Sequence, residues 1–302
     1  MSQLIERLLL PTDDSDGAIA GAKRGIALAS RVGAEVHVLS VVEAEAAGPS
    51  ELDDVTAEAL EARAEEAVER IADLVRGYDP DLDVTTTVTR GTPFQSIREY
   101  AHRHEIDVVA MGTKGRTGLD RILLGSVTEN VLRTVRTPVL AVPPNATDAP
   151  VDDAVEDVAF DDLLLPTDGS DGAAIATEWG VALAEVLDSR VHALYSVDTS
   201  PFSQIREPGD VIGALEDRGD RAVGSVRELA TDAGVSVSSS IATGSPANVI
   251  LSYVEDHEVD LIVMGTHGRT GVGQWFLGSA TENVVRGAEV PVFCVPVSAE
   301  SP

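Results

Sequence analysis

The chain has 302 residues, 51 of them acidic and 22 basic, for a formal net charge of −29; 43% are hydrophobic and only 4% aromatic. This composition excludes wholesale disorder and leaves the core to Val, Leu, Ile and Ala. A polyanion of this kind is repelled by phosphate, which argues against nucleic acid and anionic lipid as partners. At roughly 150 residues per domain, the length suggests two domains.

The start of the chain, Met1-Ser-Gln-Leu-Ile-Glu-Arg7, leads into a strand without the layout of a signal peptide. No run of about 18 apolar residues follows, so no membrane span is expected and a cytoplasmic location follows by elimination. Leu4–Pro11 reads as a buried strand and Gly17–Val32 as a helix with Ala and Ile on one face. Glu35–Val42 is a second strand, and Glu51–Arg76 a long amphipathic helix with a solvated Glu- and Arg-rich face. Asp83–Thr89 is a Thr-rich, less buried strand; Pro93–His104 is a helix, Asp107–Met111 a strand, Thr128–Val135 a helix and Val139–Val142 a strand. Strand–helix alternation implies a parallel sheet with helices on both faces, hence an α/β fold.

The order then repeats. Leu8-Leu-Leu-Pro-Thr-Asp13 recurs as Leu163-Leu-Leu-Pro-Thr-Asp168, and a helix near Gly213–Ala233 answers Glu51–Arg76. Met111-Gly-Thr-Lys-Gly-Arg-Thr-Gly118 recurs as Met264-Gly-Thr-His-Gly-Arg-Thr-Gly271, and Leu124-Gly-Ser-Val-Thr-Glu-Asn-Val131 as Leu277-Gly-Ser-Ala-Thr-Glu-Asn-Val284. A whole domain is duplicated, at a period too long for a solenoid unit. The expected division is a first domain over residues 1–145, a linker over 146–158 within the Pro- and Asp-rich stretch 143–157, and a second domain over 159–302.

The chemistry sits in a spaced glycine motif. Gly112-x-x-Gly115, nine residues and Gly125-Ser126 recur as Gly265-x-x-Gly268, nine residues and Gly278-Ser279. Each copy follows an apolar strand and precedes a helix. Glycines let backbone approach a phosphate closely, and the free N–H groups and dipole of a helix start attract it. Lys114, Arg116 and Arg121 place positive charge near loop one, and His267 and Arg269 near loop two. A ligand-free reading competes: Ser126-x-x-Glu129 and Ser279-x-x-Glu282 have the spacing of capping boxes. Neither copy carries a P-loop or a dinucleotide-type Gly-x-Gly-x-x-Gly.

Topology adds a second part. Ligands of open parallel sheets lie at the carboxyl ends of strands where chain order reverses. Asp13 and Asp168 end strand one. Each either accepts hydrogen bonds from an adenine amino group or ribose hydroxyl, or only builds the turn into the next helix with Ser15 and Ser170 as caps. Both readings stay open on these residues alone. Of six histidines, His37 and His192 hold matching strand-two positions and read as packing residues; Cys294, the single cysteine, reads as a buried structural thiol.

Pro-Thr-Asp after strand one, Met-Gly-Thr-x-Gly-Arg, Gly-x2-Gly-x9-Gly-Ser and Thr-Glu-Asn-Val together resemble the ATP-binding branch of the universal stress protein family, over nearly the entire chain. The resemblance implies two tandem Rossmann-like domains, each a five-stranded parallel sheet of order 3-2-1-4-5. It implies that Pro11, Thr12 and Asp13 meet the nucleoside, that backbone at Val41 reads adenine, and that Met111 and Gly112 line the ribose. Gly115, Gly125, Ser126 and Val127 then hold the phosphates. The matching positions in the second copy are Pro166, Thr167, Asp168, Ser196, Met264, Gly265, Gly268, Gly278, Ser279 and Ala280. Ser196 departs from the usual apolar residue, at a position that acts through its backbone. The implied cofactor is ATP, with Mg²⁺ carried on its phosphate oxygens, and the two domains are expected to pair through strand five as an internal pseudo-dimer. The acid-rich, Lys-poor surface, with only Lys23 and Lys114, resembles those of halophilic archaeal proteins.

Three functions compete: a nucleotide-binding stress or signalling protein with an unidentified protein partner, a slow ATPase or nucleotide-transfer enzyme, and a scaffold with lapsed sites. Two complete glycine motifs argue against the scaffold. No shared base, nucleophile or metal-ligand cluster supports the enzyme.

Overall fold

A computed structural model describes residues 3–43, 52–114, 124–144, 155, 158–199, 209–268 and 277–302, the first residues of the two long helices by backbone only. The chain divides into two compact units, residues 1–158 and 159–302.

In the first unit the order is β1 (Arg7–Thr12), α1 (Asp16–Val32), β2 (Glu35–Glu43), α2 (Leu52–Tyr78), β3 (Val84–Gly91), α3 (Pro93–Arg103), β4 (Val108–Gly112), α4 (Ser126–Thr134) and β5 (Val139–Val142). All pairings are parallel and the strands lie in the order β3-β2-β1-β4-β5. The second unit runs β6 (Asp162–Pro166), α5 (Asp171–Leu187), β7 (Arg190–Val197), α6 (Gly209–Asp232), β8 (Val237–Thr243), α7 (Pro246–His257), β9 (Leu261–Gly265), α8 (Ser279–Gly287) and β10 (Val292–Val295). Its strands lie in the same order, β8-β7-β6-β9-β10. Each unit therefore has the 3-2-1-4-5 Rossmann-like arrangement. Helix α1 packs beside α2 and α3 beside α4, as expected where the chain runs outward to β3 and then crosses back past β1 to β4, with one pair on each face.

The central strands are apolar because both faces are covered. Leu8, Leu9, Leu10, Val108, Val109, Leu163, Leu164 and Leu261 have no exposed surface, and each such side chain contributes about 1.5–3 kcal/mol of burial. The edge strands β3 and β8 are Thr- and Ser-rich and only half-buried, as their composition suggests. Helix α1 starts where Ser15 Oγ accepts from the Ala18 N–H and stops at Gly33, whose φ of 72° suits a residue without a side chain. Strand β1 begins at Arg7 rather than Leu4: Asp107 accepts the Glu6 and Arg7 N–H groups at 2.8 and 2.9 Å, so β-ladder pairing starts later. Asp260 holds Asp161 and Asp162 in the same way at 2.8 and 3.0 Å.

Cys294 is fully buried, and burial pushes its thiol up to about 12. His37 and His192 are buried packing residues, as expected, but each also hydrogen-bonds a tyrosine at 3.0 Å, Tyr100 and Tyr253 respectively. Among the described residues no helix is long and apolar enough to cross a membrane.

Candidate functional site

Each candidate site is built where β1, β2 and β4, or β6, β7 and β9, release the chain at their carboxyl ends. Pro11 and Thr12 are buried at the end of β1, in register with Leu39 and Ser40 of β2; Val41 is the next residue along. The turn after β1 is tightly bonded. Thr12 Oγ1 accepts from the Asp14 N–H at 3.2 Å, and Asp13 Oδ1 accepts from the Ser15 N–H at 3.1 Å and its hydroxyl at 2.5 Å. In the second unit Thr167 Oγ1 accepts from the Gly169 N–H at 3.2 Å and Asp168 Oδ1 from the Ser170 N–H at 2.9 Å. One oxygen of each aspartate thus builds the turn, and both Ser15 and Ser170 cap their helices.

The other oxygen of Asp168 points to the glycine loop. A methyl group on Gly268 would lie 2.9 Å from Asp168 Oδ2, and one on Gly278 would lie 3.6 Å from the Gly268 N. Asp168, Gly268 and Gly278 therefore lie side by side. Met264 is buried and Gly265 half-buried at the end of the strand that leads to them. The close approach has a second layer: Gly265 faces the Gly172 carbonyl, where a methyl would lie 2.7 Å away. In the first unit a methyl on Gly112 would collide with the Gly17 carbonyl oxygen, and Met111 is likewise buried. Gly115, Arg116, Arg121 and Arg269 lie outside the described residues.

The loops return to the sheet through matching bonds. The Gly125 N–H donates to the Thr113 carbonyl at 2.8 Å, and the Gly278 N–H to the Thr266 carbonyl at 2.8 Å. Thr128 Oγ1 and Thr281 Oγ1 each donate to the carbonyl of the strand-end glycine, Gly112 or Gly265, at 2.8 Å.

The helix start then departs from the capping-box expectation. The N-cap of α4 is Gly125 (φ −62°, ψ 137°) and that of α8 is Gly278 (φ −60°, ψ 139°), and neither has a side-chain cap. Ser126 and Ser279 are the first helical residues, one place too late to cap; both are exposed, and Val127 and Ala280 beside them are half-exposed. Glu129 turns instead to Arg133 at 2.7 Å, and Glu282 to Arg286 at 2.6 Å, each one turn along. A helix start leaves up to four N–H groups without an intrahelical partner. Here, among the described residues, no side chain caps it. Such a terminus beside closely approaching glycines fits an anion.

Ser196 stands at the end of β7, and its hydroxyl donates to the Gly244 carbonyl at 2.7 Å. His267 Nδ1 lies 3.0 Å from Thr266 Oγ1. Among the described residues, no cluster of three or more His, Cys, Asp or Glu stands where it could hold a metal ion.

The family profile described as the universal stress protein family matches residues 5–143 and again 159–296. The chain belongs to the universal stress protein family. Universal stress protein MJ0531 of Methanocaldococcus jannaschii is 37% identical over 136 residues, which cover 44% of this chain and 80% of that protein. Universal stress protein Slr1230 of Synechocystis is 21% identical over 308 residues, covering 95% of this chain and 99% of that one. A solved universal stress protein from Archaeoglobus fulgidus superposes with a TM-score of 0.71 at 23% identity, over 98% of this chain and 100% of that one, which establishes the shared fold.

Proposed function

We propose that each repeat of this universal stress protein binds one adenine nucleotide, ATP with its Mg²⁺, and that occupancy controls shape or choice of protein partner in stress response or signalling. The observation that carries this reading is the helix start at Gly125 and Gly278: two helices with glycine N-caps and no side-chain cap among the described residues, each fed by a glycine loop from a strand end. The N–H groups that follow each N-cap glycine are worth more to a phosphate than to water, because the helix dipole adds to them.

Gly125, Ser126 and Val127 would hold the phosphates in the first repeat, with Gly115; Gly268, Gly278, Ser279 and Ala280 would do so in the second. Because the phosphates go beyond the fourth strand, the nucleoside extends back across the first strand toward the second. That places the ribose against Met111 and Gly112, or Met264 and Gly265, with Asp13 or Asp168 accepting from its hydroxyls. The base lies by Val41 or Ser196. The preference for adenine rests on the likeness of the motif set to the ATP-binding branch of the family. ATP would bring Mg²⁺ on its own phosphate oxygens and waters, which requires few protein ligands.

Mass spectrometry of small molecules released from the purified chain, followed by thermal melts with ATP, tests the proposal. Bound adenine nucleotide, or a melt stabilised by about 2.7 kcal/mol per repeat when free ATP is at 100 times its Kd, is the expected result. No released nucleotide and no shift at millimolar ATP would overturn it. A turnover assay on the same sample separates binding from hydrolysis.

A further inference from the structure

The first strands of the two repeats are nearly the same strand. Leu8-Leu-Leu-Pro-Thr12 and Leu163-Leu-Leu-Pro-Thr167 are identical, so the apolar surface of β1 cannot tell β2 from β7. The other side of β1 discriminates no better. Asp107 and Asp260 clamp the adjacent backbone N–H groups in the same way, and backbone carries no identity. A duplicated chain with interchangeable strands is open to misassembly, a characteristic failure of repeat proteins.

One cross-strand position breaks the likeness. Arg7 of β1 is in register with Glu35 of β2, its Nε 4.0 Å from the carboxylate, and its Nη1 also reaches Glu105, between α3 and β4, at 3.3 Å. At the equivalent positions Asp162 of β6 is in register with Arg190 of β7, at 3.4 Å. The charges are exchanged between the two strands. Two residues along, a buried histidine depends on whichever strand carries the acid. His37 Nε2 lies 3.2 Å from Glu35 on its own strand, whereas His192 Nε2 lies 2.7 Å from Asp162 on the neighbouring strand. The largest other difference, Tyr195 where β2 has Ser40, packs on Gly219 of α6, the helix that follows its own strand.

We infer that this exchanged ion pair is a strand-pairing code that keeps β1 with β2 and β6 with β7 during folding. If β7 took the place of β2, Arg7 would stand opposite Arg190, and His192 would lose its carboxylate. If β2 took the place of β7, Asp162 would stand opposite Glu35, with two carboxylates at one histidine. Both hybrids set like charges directly opposite, which is destabilising, and the first also orphans a buried polar ring. Each native pairing sets opposite charges across from one another. The code does not oppose exchange of the same repeat between two copies of the chain, because that exchange recreates the native pair.

Refolding of the full chain from urea, at the lowest KCl concentration at which the wild type refolds, tests this. R7D/E35R keeps a local ion pair but gives both repeats the same pattern; adding D162R/R190E restores a difference with the two patterns interchanged. The ratio of aggregated or protease-sensitive chain to protease-resistant chain should rise about tenfold in R7D/E35R, the size of two like-charge contacts and one orphaned group combined. It should return to the wild-type value in the quadruple variant. A wild-type ratio for R7D/E35R overturns the inference. So does failure of the quadruple variant, because the exchanged charges are then simply not tolerated in place. A failed R7D/E35R beside a recovered quadruple variant supports it, whatever the stability of R7D/E35R alone.

Discussion

The turn after the first strand differs between the repeats while its hydrogen bonds do not. In repeat one Asp14 occupies the left-handed region at φ 64° and its carboxylate meets Arg70 of α2 at 3.2 Å. In repeat two the same place is Gly169, φ 72°, and the residue matching Arg70 is Ser225, which bonds within its own helix. Acid and base have been kept or lost together. Glycine reaches this conformation at no steric cost, whereas aspartate is among the few other residues that tolerate it. The backbone shape of the turn is therefore the shared requirement, and the ion pair is one way of meeting it.

The approach of loop to helix shows the same contrast in packing, and yields the largest expected effect. A methyl on Gly17 would overlap the Lys114 carbonyl, whereas one on Gly172 would lie 2.5 Å from the His267 carbonyl. Both oppose backbone, which yields less readily than a side chain. Gly17→Ala should cost about 3 kcal/mol and Gly172→Ala about 1–2 kcal/mol in urea unfolding. Equal costs would show that the two loops are packed alike.

The buried tyrosine–histidine pairs come next. Among the described residues, Tyr100 is the hydrogen-bond partner of His37 Nδ1, and Thr87 also shares its hydroxyl at 3.3 Å. His192 Nδ1 has Ser238 at 3.3 Å as well as Tyr253. Tyr100→Phe should therefore cost about 1.5 kcal/mol and Tyr253→Phe nearer 0.5–1 kcal/mol. The reverse order would mean that Ser238 is no substitute.

Burial, opposed in part by Glu35, lowers the His37 pKa below its ordinary 6.5. The unfolded chain then binds the proton more readily. The stability is fully present above about pH 6.5 and is lost as pH falls from there through the lower folded value. Urea midpoints at pH 7.5 and 5.5 should diverge, and His37→Gln should reduce the divergence. An unchanged pH dependence would assign it to other groups.

The smallest effect belongs to the turn itself. Asp14→Gly removes an ion pair whose arginine is half exposed, worth 0–1 kcal/mol, but relieves the left-handed aspartate. The net change should lie within about 0.5 kcal/mol, by the same urea series. A loss above about 1 kcal/mol would make the bridge to α2 the main support of the turn.

The strands were legible because duplication prints each signal twice and an apolar run such as Leu8–Leu10 has few alternatives to a buried parallel strand, and their order followed from the family resemblance. The cap was not legible. Ser-x-x-Glu has the spacing of a capping box, and only the extended backbone of Gly125 and Gly278 shifts the helix start by one residue and frees the serine. The bonded histidines were half legible. His37 and His192 were readable as strand residues, but their tyrosines lie 63 and 61 residues away, a pairing set by the crossover and not by local pattern. A signal was present, since Tyr100 and His104 recur as Tyr253 and His257. Gly115 falls outside the described residues.

Calorimetric titration of the full chain with ATP and Mg²⁺ tests the central claim most directly. The backbone angles of Gly125 and Gly278 are open to any residue, so Gly125→Val and Gly278→Val place a branched side chain against phosphate without forcing the main chain; a Cβ on Gly278 would come no closer than 3.1 Å, to the Thr266 carbonyl. The account predicts two equivalents of ATP for the wild type, one for each single variant and none for the double, with circular dichroism unchanged throughout. A wild-type equivalent that survives both changes would place the nucleotide elsewhere and contradict it.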